Sequence, residues 1–164
     1  MLKYSQLGGH MTAYVIESTT DGSARLVDGI YRLRHQVFKQ SLDWDVECLH
    51  GREIDQFDTD AAIYGAVSDD FGILEGCFRL LPTTGPYMLR DVFPELLHGH
   101  PAPSDPRIME CSRFAVFPQP GNSGSIAELL RITTELLIIQ LDYCLRHGVH
   151  TMVCATDLRF ERIL

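Results

Sequence analysis

Residues Ala61–Leu81, AAIYGAVSDDFGILEGCFRLL, decide the fold. Two apolar runs rich in β-formers, 61–67 and 73–81, flank Ser-Asp-Asp-Phe-Gly, a turn-forming pentad that folds the second run back on the first as an antiparallel hairpin. Upstream, Thr12–Glu17 (TAYVIE) reads as a strand. Ala24–Leu42 then sets Leu26, Ile30, Leu33, Val37 and the pair Phe38/Leu42 at helical spacing. Downstream, Pro82–Pro106 is punctuated by Pro and Gly and anchored by Tyr87, Met88, Leu89, Val92, Phe93 and Leu96, a segment long enough to carry function or short helices of its own. Glu110–Phe117 (ECSRFAVF) is the next strand, and PQPGNSG leads from it to a helix marked at both ends. Ser125 with Glu128 forms a capping box, Gly148 supplies a left-handed stop, and Ile126, Leu129, Leu130, Leu137, Leu141 and Cys144 define the expected buried stripe. Val149–Ala155 closes the order as a further strand. Strand, helix, antiparallel strands, long helix and strand make a mixed α/β domain.

The chain's 164 residues, 45% of them hydrophobic, suit one domain with a substantial core. Lys and Arg number 14 against 22 Asp and Glu, a formal charge of -8, and no basic run is available to follow phosphates, so general nucleic-acid binding is excluded as an expectation. Cys48, Cys77, Cys111, Cys144 and Cys154 are odd in number and widely spread, as expected of reduced, mostly buried thiols in a cytoplasmic protein. Neither a membrane-length apolar run nor a signal peptide is visible, which predicts a soluble, unexported chain. GGHM at 8–11 resembles a junction ahead of an authentic start. The domain is therefore read as 11–164, with 1–10 as an extension.

The chemistry centres on GREIDQFD at 51–58. In extended chain Glu53 and Asp55 point the same way, and a turn at Gln56-Phe57 brings Asp58 back to them. Three close carboxylates repel one another unless cations neutralise them, and Arg34, Arg79, Arg113 or a positively charged ligand would serve. With the aromatics Phe38, Trp44 and Phe93, the set reads as one wall of a site for a cationic small molecule. The competing reading is a polar connection whose carboxylates face water. A metal is disfavoured: the cluster has no His and lacks the glycine-centred calcium loop. His98 and His100 read as solvated loop residues. Strand alternation turns Cys111 away from Glu110 as a packed thiol, and it also opposes Glu110 to Arg113, so a bulge must separate those two if both serve one site. The unit from Phe114 to Leu130 offers helix-start N–H groups to a negative group such as a phosphopantetheine arm, or is an ordinary turn before a capped helix.

RLRHQVF with Trp44, the GREIDQFD loop, CFRLLPTTGPYMLRDVFPELL and MECSRFAVF resemble the signature blocks of LuxI-type acyl-homoserine-lactone synthases, from about Tyr31 to the end of the chain. The resemblance implies a single-domain α/β fold similar to the GNAT N-acyltransferases, three layers with a central mixed, mostly antiparallel sheet flanked by helices. It implies S-adenosylmethionine and an acyl thioester on acyl carrier protein or coenzyme A as substrates, no cofactor, and no membrane or nucleic-acid partner. An α-amine, which ordinarily titrates at about 7.7–8.0, must lose a proton before it attacks, and Glu53, then Glu110, are the candidate bases. Asp55 and Asp58 would face the sulfonium and ammonium charges. Arg34, Arg79 and Arg113 would order the acids and the substrate carboxylate, Phe38, Trp44 and Phe93 would shield the cation, and Ser112 would join the substrate contacts. Main-chain N–H groups between Glu110 and Phe114 would stabilise the oxyanion. Lactone closure, with a sulfonium leaving group, asks mainly for proximity. Arg131, Arg146, Arg159 and Arg162 are the candidate acyl-carrier contacts, needed to offset the like net charges of two acidic proteins; if they do not cluster, a coenzyme A donor is favoured. Met109 replaces the Trp often found before the strand's glutamate, and the chain ends at Leu164 where family members usually continue, so the domain reads as C-terminally incomplete. The alternatives are another GNAT-like N-acyltransferase, or a truncated relative that binds adenosylmethionine or a partner without turnover.

Overall fold

In the computed structural model, residues 2–5, 11–17, 23–118 and 125–156 are described, the first four by backbone alone. The hairpin forms as β5 (Ile63–Ser68) and β6 (Leu74–Pro82), antiparallel, with Tyr64 opposite Arg79 and Gly65 opposite Phe78. Its turn is held by Asp69, whose Oδ1 accepts the N–H groups of Phe71 and Ile73 at 2.9 and 2.8 Å, while Gly72 takes the left-handed φ of +79°. A Cβ on Gly65 would fall 2.1 Å from the Phe78 ring, so the ring covers the glycine directly.

Around this hairpin the sheet is extended by β1 (Leu2–Ser5), β2 (Thr12–Ile16), β7 (Ile108–Val116) and β8 (Thr151–Val153), in the order β1-β2-β5-β6-β7-β8. Neighbours are antiparallel except β7 and β8, which are parallel. Residues 2–5, set aside in the sequence as an extension, thus pair with β2 at the sheet edge. β8 is shorter than the 149–155 expected. A separate two-residue ladder joins β3 (Cys48–Leu49) to β4 (Arg52–Glu53).

Alternation along β5 and β6 feeds two cores. Tyr64, Ala66, Cys77 and Leu81 face α1 (Ala24–Arg34) with its Val27, Ile30 and Leu33. Ile63, Val67, Phe78 and Leu80 face α3 (Ile126–Arg146) through Ile132, Leu136 and Ile139. Helices on both faces give the three layers.

Three expectations are corrected. The helix read as 24–42 is α-helical only to Arg34 and then widens into π-helical turns over His35–Ser41, with the Leu42 N–H bonded to the Val37 carbonyl at 3.0 Å. Val37 and Phe38 stay buried, but Leu42 is 49% exposed; the spacing of apolar residues does not distinguish the two winding states over so short a run. On α3 the buried stripe is Ile132, Leu136, Ile139, Gln140, Tyr143 and Cys144, so of the expected set only Cys144 is buried. Ile126, Leu129, Leu130 and Leu141 are exposed, and Leu137 is half-buried. The helix is apolar on two sides, and periodicity alone admits either. The N-cap is half a capping box: Ser125 Oγ accepts the Glu128 N–H at 3.2 Å, but the Glu128 carboxylate is held by Arg131. Gly148 closes the helix at φ +67°, as expected.

Candidate active site

Three arginines and three carboxylates meet where the C-terminal end of α1, the 51–58 loop and strands β6 and β7 converge. Asp58 is the hub. Its Oδ1 accepts Arg34 Nη1 at 2.7 Å, Arg79 Nη1 at 2.8 Å and the Tyr64 hydroxyl at 2.9 Å. Its Oδ2 accepts Arg34 Nη2 and the Asp55 N–H, each at 2.8 Å. Burial acts to raise the Asp58 pKa, but the Arg34 hydrogen bond and the Arg34 and Arg79 charges outweigh it and hold the carboxyl well below the usual range. The same carboxylates push Arg34 further up despite its burial.

Glu53 is enclosed in the same way. Arg34 Nε donates to its Oε2 at 2.5 Å and Arg113 to its Oε1 at 3.0 Å, and no part of the Glu53 or Arg34 side chain reaches solvent. Asp55 bonds Arg79 Nη1 at 2.6 Å and Arg113 Nη2 at 2.8 Å, and it caps the turn by accepting the Phe57 N–H at 2.9 Å. Asp55 and Arg113, at 15% and 11% side-chain exposure, are the members of the lattice that reach the surface. The expected role of Asp58 as a contact for the ligand's charge conflicts with a side chain that is wholly enclosed and takes five hydrogen bonds, two of them from Arg34 and one from Arg79.

The bulge that strand parity demands is present. Cys77 pairs with Ala115 but Arg79 pairs with Ser112, leaving one extra residue on β7, and Arg113 takes a left-handed φ of +53°. A non-glycine residue in that region is strained by about 1–3 kcal/mol and is held only where its surroundings fix it. As a result Glu110, Ser112 and Arg113 all serve one side: Ser112 Oγ accepts Arg79 Nε at 3.1 Å while Arg113 bonds Glu53 and Asp55.

Glu110 stands outside the lattice. Its oxygens accept the N–H groups of Met88 and Leu89, at 2.8 and 2.6 Å, at the start of α2 (Met88–Asp91). Burial raises its pKa, outweighing those two hydrogen bonds and the Arg79 charge. The lattice balances three guanidinium groups against three carboxylates; among the described residues Glu110, fully buried beside it, forms no ion pair and is held by the two N–H groups alone. Cys111 faces the α3 core, as alternation requires, with its thiol pushed up to about 12 by burial.

The aromatics divide. Trp44, 43% exposed, stacks on buried Phe38 at 5.1 Å and 16°, and Arg113 lies over the Phe38 ring at 5.6 Å. Phe93 is tied to the turn at α2 through its N–H to the Met88 carbonyl at 3.1 Å. Sequence reasoning missed Met88, whose sulfur lies 3.4 Å from both Arg79 and Arg113, and it missed Tyr64 and Tyr31. Tyr64 could have been found from its register opposite Arg79; Met88 carried no signal beyond its place in an apolar segment.

Arg131 and Arg146 are fifteen residues apart on α3, about 22 Å along its axis, and each is paired within the helix, to Glu128 and Asp142. They do not form one basic patch. Arg159 and Arg162 lie outside the described residues, as do most of the Gly-rich loop and Leu164. A cleft of about 410 Å³ opens elsewhere, between α1 and the β5–β6 turn, lined by Arg25, Gly29, Arg32, Gln36, Ile73 and Leu74 among others, and it contains none of the site residues. Among the described residues, no group of three or more His, Cys, Asp and Glu is placed to hold a metal ion, and no helix is long and apolar enough to cross a membrane.

The profile of the autoinducer synthase family matches residues 18–164. The chain is 43% identical over 136 residues to the acyl-homoserine-lactone synthase of Aliivibrio fischeri, covering 83% of this chain and 69% of that protein. Its structure is similar to that of the acyl-homoserine-lactone synthase LasI, with a TM-score of 0.80 and 36% identity over 95% of this chain and 77% of the other. It is also similar to the coenzyme A-dependent synthase BjaI with S-adenosylmethionine and isopentyl-CoA, at a TM-score of 0.76 and 27% identity over 92% of this chain and 70% of the other. The N-acyl amino acid synthase FeeM, 12% identical at a TM-score of 0.62, shares the fold alone. The sheet flanked by helices is the GNAT-like arrangement expected from the sequence.

Proposed function

The chain belongs to the autoinducer synthase family, and from that membership we propose how its residues carry out acyl-homoserine-lactone synthesis. The enzyme is an acyltransferase that acylates the amine of S-adenosylmethionine from an acyl thioester and then closes the lactone, releasing methylthioadenosine. The ammonium docks at the Asp55 edge of the lattice, on the side that Glu110, buried behind it and without an arginine partner among the described residues, faces. Asp55 and Arg113, at the lattice surface, meet the sulfonium side and the substrate carboxylate, and Trp44 on Phe38 shields the cation from water.

Glu110, rather than Glu53, takes the amine proton, directly or through one water. Both Glu53 oxygens are held by cationic guanidinium groups, whereas those of Glu110, equally buried, are held by two neutral backbone N–H groups, and burial raises its pKa toward neutrality, where a base works best. Glu53 then serves as the anchor joining Arg34 to Arg113. As the amine attacks, the carbonyl oxygen gains charge beside the bulged stretch of β7, where Ser112 and main-chain N–H groups are the available donors. In the second step the carboxylate attacks its own γ-carbon; a folded conformer suffices, and no further acid is needed for so good a leaving group.

Arg131 and Arg146, the two candidate carrier contacts among the described residues, do not cluster, which favours a coenzyme A thioester over an acidic carrier protein as donor. Both substrates are cytoplasmic metabolites, which puts the reaction in that compartment. The observation carrying this reading is the bulge at Arg113, which turns Glu110, Ser112 and Arg113 to one side. Labelled adenosylmethionine incubated with a panel of acyl-coenzyme A and acyl-carrier thioesters tests it, with mass spectrometry for lactone and methylthioadenosine. Acylation of a different amine would replace this reading with the broader acyltransferase one, and binding without product would replace it with a non-catalytic role.

A further inference from the structure

Behind the arginines lies a pair of phenols that the mechanism does not use. The Tyr64 hydroxyl donates to Asp58 Oδ1 at 2.9 Å, and the Tyr31 and Tyr64 hydroxyls are 3.2 Å apart. An ionised carboxylate only accepts, so the Tyr64 proton is committed to Asp58 and the Tyr31 proton must point at the Tyr64 oxygen. The proton order is fixed from Tyr31 to Tyr64 to Asp58. Burial and the Asp58 charge push the Tyr64 phenol far above its ordinary value, so it keeps its proton at every working pH.

The topology gives this chain a purpose. Tyr31 and Arg34 lie three residues apart on one face of α1, with the Arg34 guanidinium 5.3 Å from the Tyr31 ring centre. Tyr64 and Arg79 face each other across the β5–β6 ladder. Helix and sheet are therefore linked twice in parallel, once by charge through Arg34, Asp58 and Arg79, and once by neutral hydroxyls through Tyr31 and Tyr64. Both links end on the same oxygen, Asp58 Oδ1. From there Arg79 reaches Ser112 Oγ at 3.1 Å and Asp55 Oδ1 at 2.6 Å.

We infer that Tyr64, backed by Tyr31, is a positioning residue for acyl transfer: its hydroxyl fixes the orientation of Asp58 and so aims Arg79 at Ser112 and Asp55. Arg34 grips both Asp58 oxygens whereas Arg79 holds Oδ1 alone, and the two guanidinium groups repel each other, so a turn of the carboxylate toward Arg34 would be at the expense of the Arg79 contact. A third donor on Oδ1 opposes that rotation without adding charge.

This inference rests on the proposed reaction, and Tyr64→Phe removes the hydroxyl alone. It is expected to lower kcat about tenfold while KM for adenosylmethionine stays within about twofold, as a lost hydrogen bond to a charged group predicts. Tyr31→Phe should cost less, and the double variant should be no slower than Tyr64→Phe, because Tyr31 acts only through Tyr64. A purely structural role would show additive losses that follow melting temperature. Unchanged kcat in Tyr64→Phe, or additive losses in the double variant, overturns the inference. Arginine Nε–H resonances supply an arm independent of turnover: Tyr64→Phe should shift or broaden the Arg79 signal and leave that of Arg107, far along the chain, in place. A wild-type protein that makes no lactone sinks the functional reading. An Arg79 signal that ignores the Tyr64 hydroxyl sinks the wiring.

Discussion

Replacing Asp58 with Asn tests whether the lattice is built around that carboxylate. All five of its hydrogen bonds come from donors, three to Oδ1 and two to Oδ2. An Asn side chain turns one of those oxygens into an NH₂ group. In its better orientation the NH₂ replaces Oδ2 and faces Arg34 Nη2 and the Asp55 N–H; in the other it faces three donors. Two lost bonds of about 1.5–3 kcal/mol for charged partners, together with two buried guanidinium groups that lose half their counter-charge, give a destabilisation of about 3–5 kcal/mol. Urea titration reads this directly. With m near 2 kcal/mol/M the midpoint should fall by about 2 M at unchanged m. The acid limb supplies the sign. Because the folded Asp58 pKa is depressed below the unfolded value of about 3.9, its contribution is present above that pH and is lost as pH falls toward the folded value. The gap between wild type and variant should therefore begin to narrow below about pH 4 and keep narrowing toward the folded value. A midpoint within about 0.3 M of wild type at pH 7, or curves that stay parallel in acid, would refute the hub.

Glu110→Gln should cut turnover at least about a hundredfold. Since the folded Glu110 pKa is raised, its stabilising share is present below the unfolded value and lost as pH rises through the folded one. The variant should thus gain on wild type in melting temperature as pH rises above the unfolded value of about 4.3, and an unchanged pH slope would contradict a buried, raised Glu110. Leu136→Ala, in the core facing the sheet, should cost about 2–5 kcal/mol, whereas Leu141→Ala, 52% exposed, should stay within about 0.5 kcal/mol; the reverse order in a denaturation series would restore the expected stripe. Thiol titration of the native protein should find Cys48 and Cys154 fast. Cys77, buried and pushed up to about 12, should stay silent until urea unfolds the chain, and its early labelling would argue against the α1 core.

Much of this was legible because it rests on local rules. Turn residues at 68–72 mark the hairpin, the two-residue period of a strand separates Glu110 from Cys111 and demands the bulge before Arg113, and the clustered acids announce their arginines. The face of α3 was not legible because the stripes through Leu136 and through Leu141, on different sides of the helix, both fit a period of 3.6; only the sheet, assembled from distant segments, selects between them. Nor could spacing show that Asp58 is saturated while Glu110 is not, since that depends on which donors tertiary packing delivers. The separation of Arg131 from Arg146 was present in the numbering, but their pairing with Glu128 and Asp142 needed side-chain geometry.

The Phe78 ring lying on Gly65 has a kinetic consequence. It works as an alignment pin, since at no other offset does that bulky ring meet a residue without a side chain on this strand. A hairpin closed one position out of step would send Tyr64 and Arg79 to opposite sides of the pleat, leaving a compact chain with its catalytic lattice inverted. Enlarging Gly65 would therefore be felt first in the fraction of refolded molecules that regain activity.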